Sequence, residues 1–252
     1  MIVTTNLTKA YGSSIVVRDV SLTIANGGVT SIIGPNGAGK STLLSLMSRL
    51  MPATSGSVTV DDLDVATTRG EVLARRLSIL RQDNHIAARL TVRDLVAFGR
   101  YPYSKGRLTP EDHTYISEAI SYLGLNDLAD RYTDELSGGQ RQRAFVAMVL
   151  CQNTDYVLLD EPLNNLDMKH AVAMMKLVRR VADELQKTFV LVLHDINFAS
   201  IYSDCIIAMR DGAVVHQGSP KEIVNSAVLR DIFDIDIPIH DVEGHRLGLY
   251  YL

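Results

Sequence analysis

Gly34-Pro35-Asn36-Gly37-Ala38-Gly39-Lys40-Ser41 sets glycines ahead of a lysine and a hydroxyl, and Thr42 follows. Glycines let the backbone curl so that successive N–H groups face an anion, and a helix starting beyond them adds its partial positive charge. The order is that of a phosphate loop, G-x-x-x-x-G-K-[ST]. Lys40 is then expected to reach the β- and γ-phosphates of a nucleotide, and the Ser41 hydroxyl to ligate Mg²⁺. A second group is Asp160-Glu161, two adjacent carboxylates ending the apolar run Tyr156-Val157-Leu158-Leu159. Buried charges are costly unless paired or metal-bound. Beside a phosphate loop, Asp160 is expected on the metal side and Glu161 in position to orient or deprotonate an attacking water. Alone, the pair also reads as a solvated strand end. A third group, Leu136-Ser137-Gly138-Gly139-Gln140, reads as a helix N-terminus: Ser137 caps, Gln140 closes a capping box, and the glycines leave amides uncovered. Local physics leaves both simple capping and anion binding open.

Such residues need rigid elements to hold them. Val29 to Ile33 is a β-branched run entering the glycine-rich turn, and Lys40 to Leu50 continues at helical spacing. Arg18 to Ile24 alternates polar and apolar residues at the period of a half-buried strand, which predicts early antiparallel structure. Tyr156–Leu159 and Phe189–Leu193 read as buried parallel strands. The crossover helix Asp167–Gln186 repeats Ala171, Met174, Val178, Val181 and Leu185 on one face, with Met174 and Met175 as core filler. Ile206–Arg210 and Ala213–Gln217 flank Asp211-Gly212, a hairpin signal. Between Asn84 and Val149 the texture is helical, with start signals at Thr91 (then Asp94), Thr109 (then Pro110 and Asp112) and Ser137 (then Gln140).

A formal charge of -4 and a pI near 6.0 give no general pull toward nucleic acid, so no nucleic-acid partner is expected. Cys151 and Cys205 have neither metal-ligand nor redox spacing and are expected as buried thiols. Met1 to Thr8 lacks the pattern of a secretory signal, and Val190–Leu193 is far too short to cross a bilayer. The expectation is a cytosolic chain that reaches a membrane only through a partner.

Leu136 to Gln140 resembles the signature motif of ATP-binding-cassette (ABC) ATPases, and the other elements of that family follow in order over nearly the whole chain. The resemblance implies an α/β fold, a P-loop NTPase with a RecA-like parallel-sheet core, an antiparallel β subdomain and a helical subdomain. It implies one domain over residues 1–252, with the helical insertion at about 84–150. It also implies that Tyr11 stacks on adenine, that Gln82 senses Mg²⁺ and the membrane partner, that Asp167 is the D-loop aspartate, and that His194 contacts the γ-phosphate. Taken singly, Tyr11 reads as a half-buried strand-end aromatic, Gln82 as a surface amide and His194 as a structural histidine. His85 matches no family position. The family mechanism is a head-to-tail pair of copies sandwiching two ATP molecules, with Ser137 and Gly139 of one copy meeting the γ-phosphate held by Gly34 to Thr42 of the other, so that Ser137 to Gln140 completes the site. Such a triphosphate lies between two helix N-termini.

Finer features resemble importers of ferric siderophores, haem and cobalamin: Gly99-Arg100-Tyr101-Pro102, Asn164-Asn165-Leu166-Asp167, and His194-Asp195-Ile196-Asn197 followed by Ala199. Leu163 and Phe198 are variants of that pattern, and Arg81 stands where many relatives have proline. The Gly99–Tyr103 segment also reads as a helix-ending turn, Pro102 stopping the helix and Gly99 taking positive φ. The implied function is ATP hydrolysis that powers ferric-siderophore uptake. The implied partners are membrane permease subunits, docked near Gln82 and the helical segment at the cytoplasmic face, and indirectly an extracytoplasmic binding protein. Competing readings are a haem, cobalamin or metal importer, an exporter, or a soluble cassette in translation or DNA repair. Residues 231–252 carry no motif and are expected to pack on the cassette.

Overall fold

The computed structural model describes residues 1–82, 84, 88–164 and 166–250. His85 and Asn165 lie outside the described residues. The backbone groups into two units, Met1–Thr68 with Arg179–Leu252, and Arg69–Val178. Up to Thr68 the chain forms β1 (Ile2–Tyr11), β2 (Ser14–Ile24), β3 (Gly28–Ile33), α1 (Lys40–Met47), β4 (Ser55–Val60) and β5 (Leu63–Asp64). Then come α2 (Gly70–Leu73), β6 (Leu77–Leu80), α3 (Val92–Ala97), α4 (Tyr101–Ser104), α5 (Pro110–Tyr122), α6 (Gly138–Cys151), β7 (Tyr156–Asp160) and α7 (Met168–Glu184). The remainder forms β8 (Thr188–Val192), α8 (Ile196–Tyr202), β9 (Cys205–Arg210), β10 (Ala213–Gly218), α9 (Pro220–Ile223), α10 (Ser226–Phe233), β11 (Ile239–Val242) and β12 (His245–Gly248).

In the first unit, β2-β1-β4-β5 form an antiparallel sheet. Val20, Leu22 and Ile24 of β2 are buried and the alternating Ser21 and Thr23 exposed, as the sequence period predicts. The strand before the phosphate loop, β3, runs parallel to both β8 and β9. Every residue of β8 is buried, as is β3 from Val29 onward, which explains their unbroken apolar character. Asp211 (φ 50°) and Gly212 (φ 81°) make the tight turn from β9 to β10 that their dipeptide predicts. The helix predicted to reach Leu50 stops at Met47. Arg49 turns left-handed (φ 59°), and Leu50 N–H returns to Ser45 O at 2.9 Å, a Schellman ending that uses arginine where glycine is usual. The residues after Asp231 do pack on the cassette: β11 and β12 form a hairpin seated on α8. There Asn197 accepts from Gly248 N–H (2.8 Å) and donates to Gly248 O (3.2 Å).

In the second unit β6 pairs in parallel with β7, from Leu77↔Tyr156 to Leu80↔Leu159. Helices α3, α5 and α6 pack on one another, and Leu95, Val96, Ile116, Ile120, Ala144 and Phe145 on them are buried. All three predicted capping boxes form: Thr91 with Asp94, Thr109 with Asp112, and Ser137 with Gln140. Along α7, Ala171, Met174, Met175, Val178 and Val181 are buried as expected. Leu185 is not: it is 49% exposed, because the helix has ended at Glu184 and Gln186 turns left-handed (φ 52°).

The Gly99–Tyr103 expectation is corrected. The chain stays helical through this stretch, Pro102 sits in the first turn of α4 where its missing N–H costs nothing, and the stop comes later at Lys105 (φ 49°). Gly99 does not take positive φ; a Cβ there would stand 2.1 Å from Met148 O, so glycine is needed for close approach to α6. Arg100 is buried, with Nε 2.8 Å from Asp112 Oδ1 and Nη1 3.0 Å from Cys151 O, and lies over the rings of Tyr103 and Tyr115. Cys151 is buried as predicted, and burial pushes its thiol up to about 12. Cys205 is only half-buried, since it opens β9 at the strand's end. Burial raises its thiol too. A raised thiol pKa means little thiolate at neutral pH. With a maleimide at pH 7, Cys205 is therefore expected to be labelled well before Cys151, as read by peptide mass mapping.

Candidate functional site

In the first unit the phosphate loop is built by glycines that nothing larger could replace. Gly34 has φ 146° and its Cβ would stand 2.1 Å from Met209 O. Gly39 has φ 95° and its Cβ would meet Val16 O at 2.5 Å, while Gly37 needs only its φ of 81°. The loop closes with Ala38 N–H on Pro35 O at 3.2 Å. Lys40 is buried and donates from Nζ to Gly34 O (2.8 Å) and Pro35 O (2.9 Å), which places its charge inside the loop. Gly39 is the N-cap of α1 and supplies no side chain, so the first amides of the helix have no side-chain cap. Ser41 and Thr42 follow in that first turn, both half-buried, with Asn36 exposed.

His194 is exposed at the end of β8. Leu193 N–H donates to Ile32 O at 3.1 Å, so the residue after it stands beside the strand that enters the loop. The next residue, Asp195, caps α8 by accepting from Asn197 N–H (2.7 Å) and Phe198 N–H (3.1 Å). Tyr11 ends β1 and is 54% exposed, with Lys9 Nζ 5.0 Å from its ring centroid and its hydroxyl 3.5 Å from Met51 Sδ. An exposed ring face held by such contacts suits stacking on a flat ligand.

In the second unit, parallel pairing of Leu80 with Leu159 brings the residues just beyond both strands together. Gln82 Nε2 donates to Glu161 Oε2 at 2.8 Å, and Asn164 Nδ2 donates to the same oxygen. Asp160 beside it is buried. Glu161 itself has φ 50°, a left-handed conformation that costs a non-glycine residue about 1–2 kcal/mol. Strain of this kind is retained where surrounding contacts hold a side chain in place. Asp167 accepts from the His170 backbone N–H (2.8 Å) and meets its Nδ1 at 2.7 Å. These contacts, the backbone one first, hold the Asp167 carboxyl below its ordinary range. At the start of α6, Ser137 N–H donates to Gln140 Oε1 (3.0 Å) and Gln140 N–H to Ser137 Oγ (3.3 Å), with Gly138 exposed and Gly139 buried.

The first unit thus holds Gly34–Thr42, Tyr11 and His194; the second holds Gln82, Ser137–Gln140, Asp160, Glu161 and Asp167. Three participants were not singled out from sequence for their contacts: Asn164 on Glu161, His170 on Asp167, and Gln142, whose Nε2 donates to Pro162 O at 3.1 Å. Only His170 left a local signal, three residues past Asp167 at the opening of a helix, where a carboxylate N-cap and an i+3 partner meet.

A model of the ABC transporter family matches residues 17–164. The chain is 53% identical over 251 residues to the petrobactin import ATP-binding protein YclP of Bacillus subtilis (strain 168), with 100% of each chain covered. It is likewise 53% identical to the petrobactin import ATP-binding protein FatE of Bacillus anthracis, over 95% of this chain and 96% of that one. Among solved structures, an ATP-binding cassette determined as a dimer in a post-hydrolysis state, bound to ADP and Pi, matches with a TM-score of 0.78 at 31% identity, covering 87% of this chain and 99% of that one. Matching family model, full-length relatives and shared fold together place this chain in the ABC transporter family, as one of its ATP-hydrolysing cassettes.

Proposed function

We propose that this chain powers import of a ferric siderophore through membrane permease subunits, and that ferric petrobactin is the first cargo to test. The observation that carries the import reading is identity of 53%, end to end, with a petrobactin import ATP-binding protein. In this reading the amides of Gly34 to Thr42 and Lys40 bind the ATP phosphates, the Tyr11 ring stacks on adenine, and His194 contacts the γ-phosphate. Glu161 takes the proton of the attacking water, with Gln82 and Asn164 holding its carboxylate. Supporting the phosphate role are the uncapped first turn of α1 and a lysine already seated among loop carbonyls.

Magnesium suits the chain's donors: Ser41, Asp160 and Gln82 offer only oxygen ligands, and Mg²⁺ takes few protein ligands alongside substrate phosphates. Its role when bound is to offset the triphosphate charge. Two copies pair head to tail, Ser137, Gly138, Gly139 and Gln140 of one facing the loop of the other; dimeric assembly of a relative 31% identical supports this. The chain sits peripherally at the cytoplasmic face, with the helical segment at about 84–150 and the surface near Gln82 receiving the permease and an extracytoplasmic binding protein delivering cargo to it. Among the described residues no helix is long and apolar enough to cross a membrane.

The test is uptake of iron-loaded petrobactin in a strain deleted for this chain. Wild-type protein is expected to restore uptake and Lys40→Ala is not, since loss of a charged phosphate donor costs on the order of 10²–10³-fold in turnover. Unchanged uptake of every ferric complex in a deletion strain without a second system would sink the import reading. ATPase activity undiminished in Lys40→Ala would remove the loop from its role.

A further inference from the structure

The segment after Glu161 and the opening of α6 come close at two places. One is the Gln142 to Pro162 hydrogen bond. The other is His170, in the first turn of α7. On one side of its Cγ the ring presents Nδ1 to Asp167 Oδ1. On the other side, a Cβ built on Gly139 would stand 3.0 Å from His170 Cδ2 and 3.1 Å from Cγ. Gly139 is buried and lacks positive φ, so space rather than backbone conformation favours a small residue there. A larger residue there would crowd the imidazole by a few tenths of an ångström and, with it, the hydrogen bond to Asp167.

The His170 side chain is 41% exposed and that of Asp167 65%, so the pair contributes little to stability. Its worth is geometric. The carboxylate selects the tautomer with the proton on Nδ1, which leaves the ring oriented by a directional bond at one edge, with Gly139 leaving room at the other.

We propose that His170 is a positioning residue that fixes Asp167 against the N-terminus of α6, so that the signature segment Ser137–Gln140 and the loop carrying Glu161 meet a second copy as one surface. The proposal rests on the two-copy reading given above. It predicts a defect in pairing and turnover but not in folding or in nucleotide binding by a single chain.

Three variants of the full chain separate its parts. His170→Asn keeps a donor near the Nδ1 position, His170→Phe keeps the ring without the donor, and His170→Ala removes both. Turnover is measured by phosphate release, single-chain affinity by titration with a fluorescent ATP analogue, folding by thermal midpoint, and ATP-induced pairing by sedimentation in a Glu161→Gln background. His170→Ala and His170→Phe are expected to lose tenfold to a hundredfold in kcat, on the order of what a misplacement near 1 Å costs. They are also expected to weaken pairing at unchanged affinity and midpoint, with His170→Asn recovering most of the turnover. Wild-type kcat and pairing in His170→Ala overturn the proposal. So do failure of His170→Asn to recover turnover and a midpoint loss that accounts for the defect. If Glu161→Gln alone does not pair on adding ATP, the two-copy reading itself fails; if it pairs and His170→Ala pairs equally well, only the His170 assignment fails.

Discussion

Replacing Glu161 with glutamine is expected to lower ATP turnover by roughly 10²–10⁴-fold, the range a positioned general base contributes, while ATP binding and ATP-induced pairing persist. The substitution isolates basicity from geometry. Glu161 Oε2 serves as acceptor for the amides of Gln82 and Asn164, and a glutamine carbonyl oxygen keeps both lone pairs. The left-handed backbone at Glu161 is as accessible to glutamine as to glutamate, so no new strain is introduced. Phosphate release measures turnover, and sedimentation with ATP measures pairing. Near-wild-type turnover would remove Glu161 from the base role.

Arg100→Ala should destabilise the chain by about 3–5 kcal/mol, because it leaves Asp112 buried without its guanidinium partner. Both side chains are 4% exposed, and Arg100 also holds Cys151 O at the last residue of α6. Burial alone would raise the Asp112 carboxyl, but Thr109 N–H, Arg100 and the Thr109 hydroxyl outweigh it and hold the group below its ordinary value. A folded pKa below the unfolded one stabilises the fold above the unfolded pKa, about 4. That contribution is lost as pH falls through the folded value. The variant, stripped of one of these partners, should show a smaller dependence on acid between pH 5 and 3, to take a range near that pKa of about 4. Urea titrations of both proteins at several pH values test this. An apolar pair, Arg100→Met with Asp112→Leu, should recover part of the loss, since neither charge is left unpaired while Cys151 O and the Thr109 cap still lose their partners. A single variant as stable as wild type would contradict the structural role.

Much of the fold was legible because it is encoded over short stretches. The capping boxes at Thr91, Thr109 and Ser137 close within three residues, the Asp211-Gly212 turn needs only its own dihedrals, and the alternation in β2 reports one wet face. What could not be read are contacts distant in sequence. Gly99 is a glycine because of Met148, and Gly139 has His170 close against it. From sequence, Gly99 reads as a turn residue and Gly139 as an uncovered amide. Left-handed Glu161 has no local signature, since its partners Gln82 and Asn164, which help to hold it, are set by the fold. The seat of β11 and β12 on α8 rests on backbone bonds to Asn197 and Ser200, which no side-chain pattern between Ile239 and Gly248 announces.

The parallel pairing of β3 with β8 also has a consequence for synthesis. Val29 finds its neighbour in Phe189, far along the chain. On a ribosome adding roughly 5–20 residues per second, β3 emerges many seconds before β8 does. During that interval the glycine loop has no finished strand behind it. The helices begun at Thr91, Thr109 and Ser137 carry their own start signals and need not wait. The nucleotide cradle, encoded long before β8, is thus expected to be among the last parts of the newborn protein to acquire its shape.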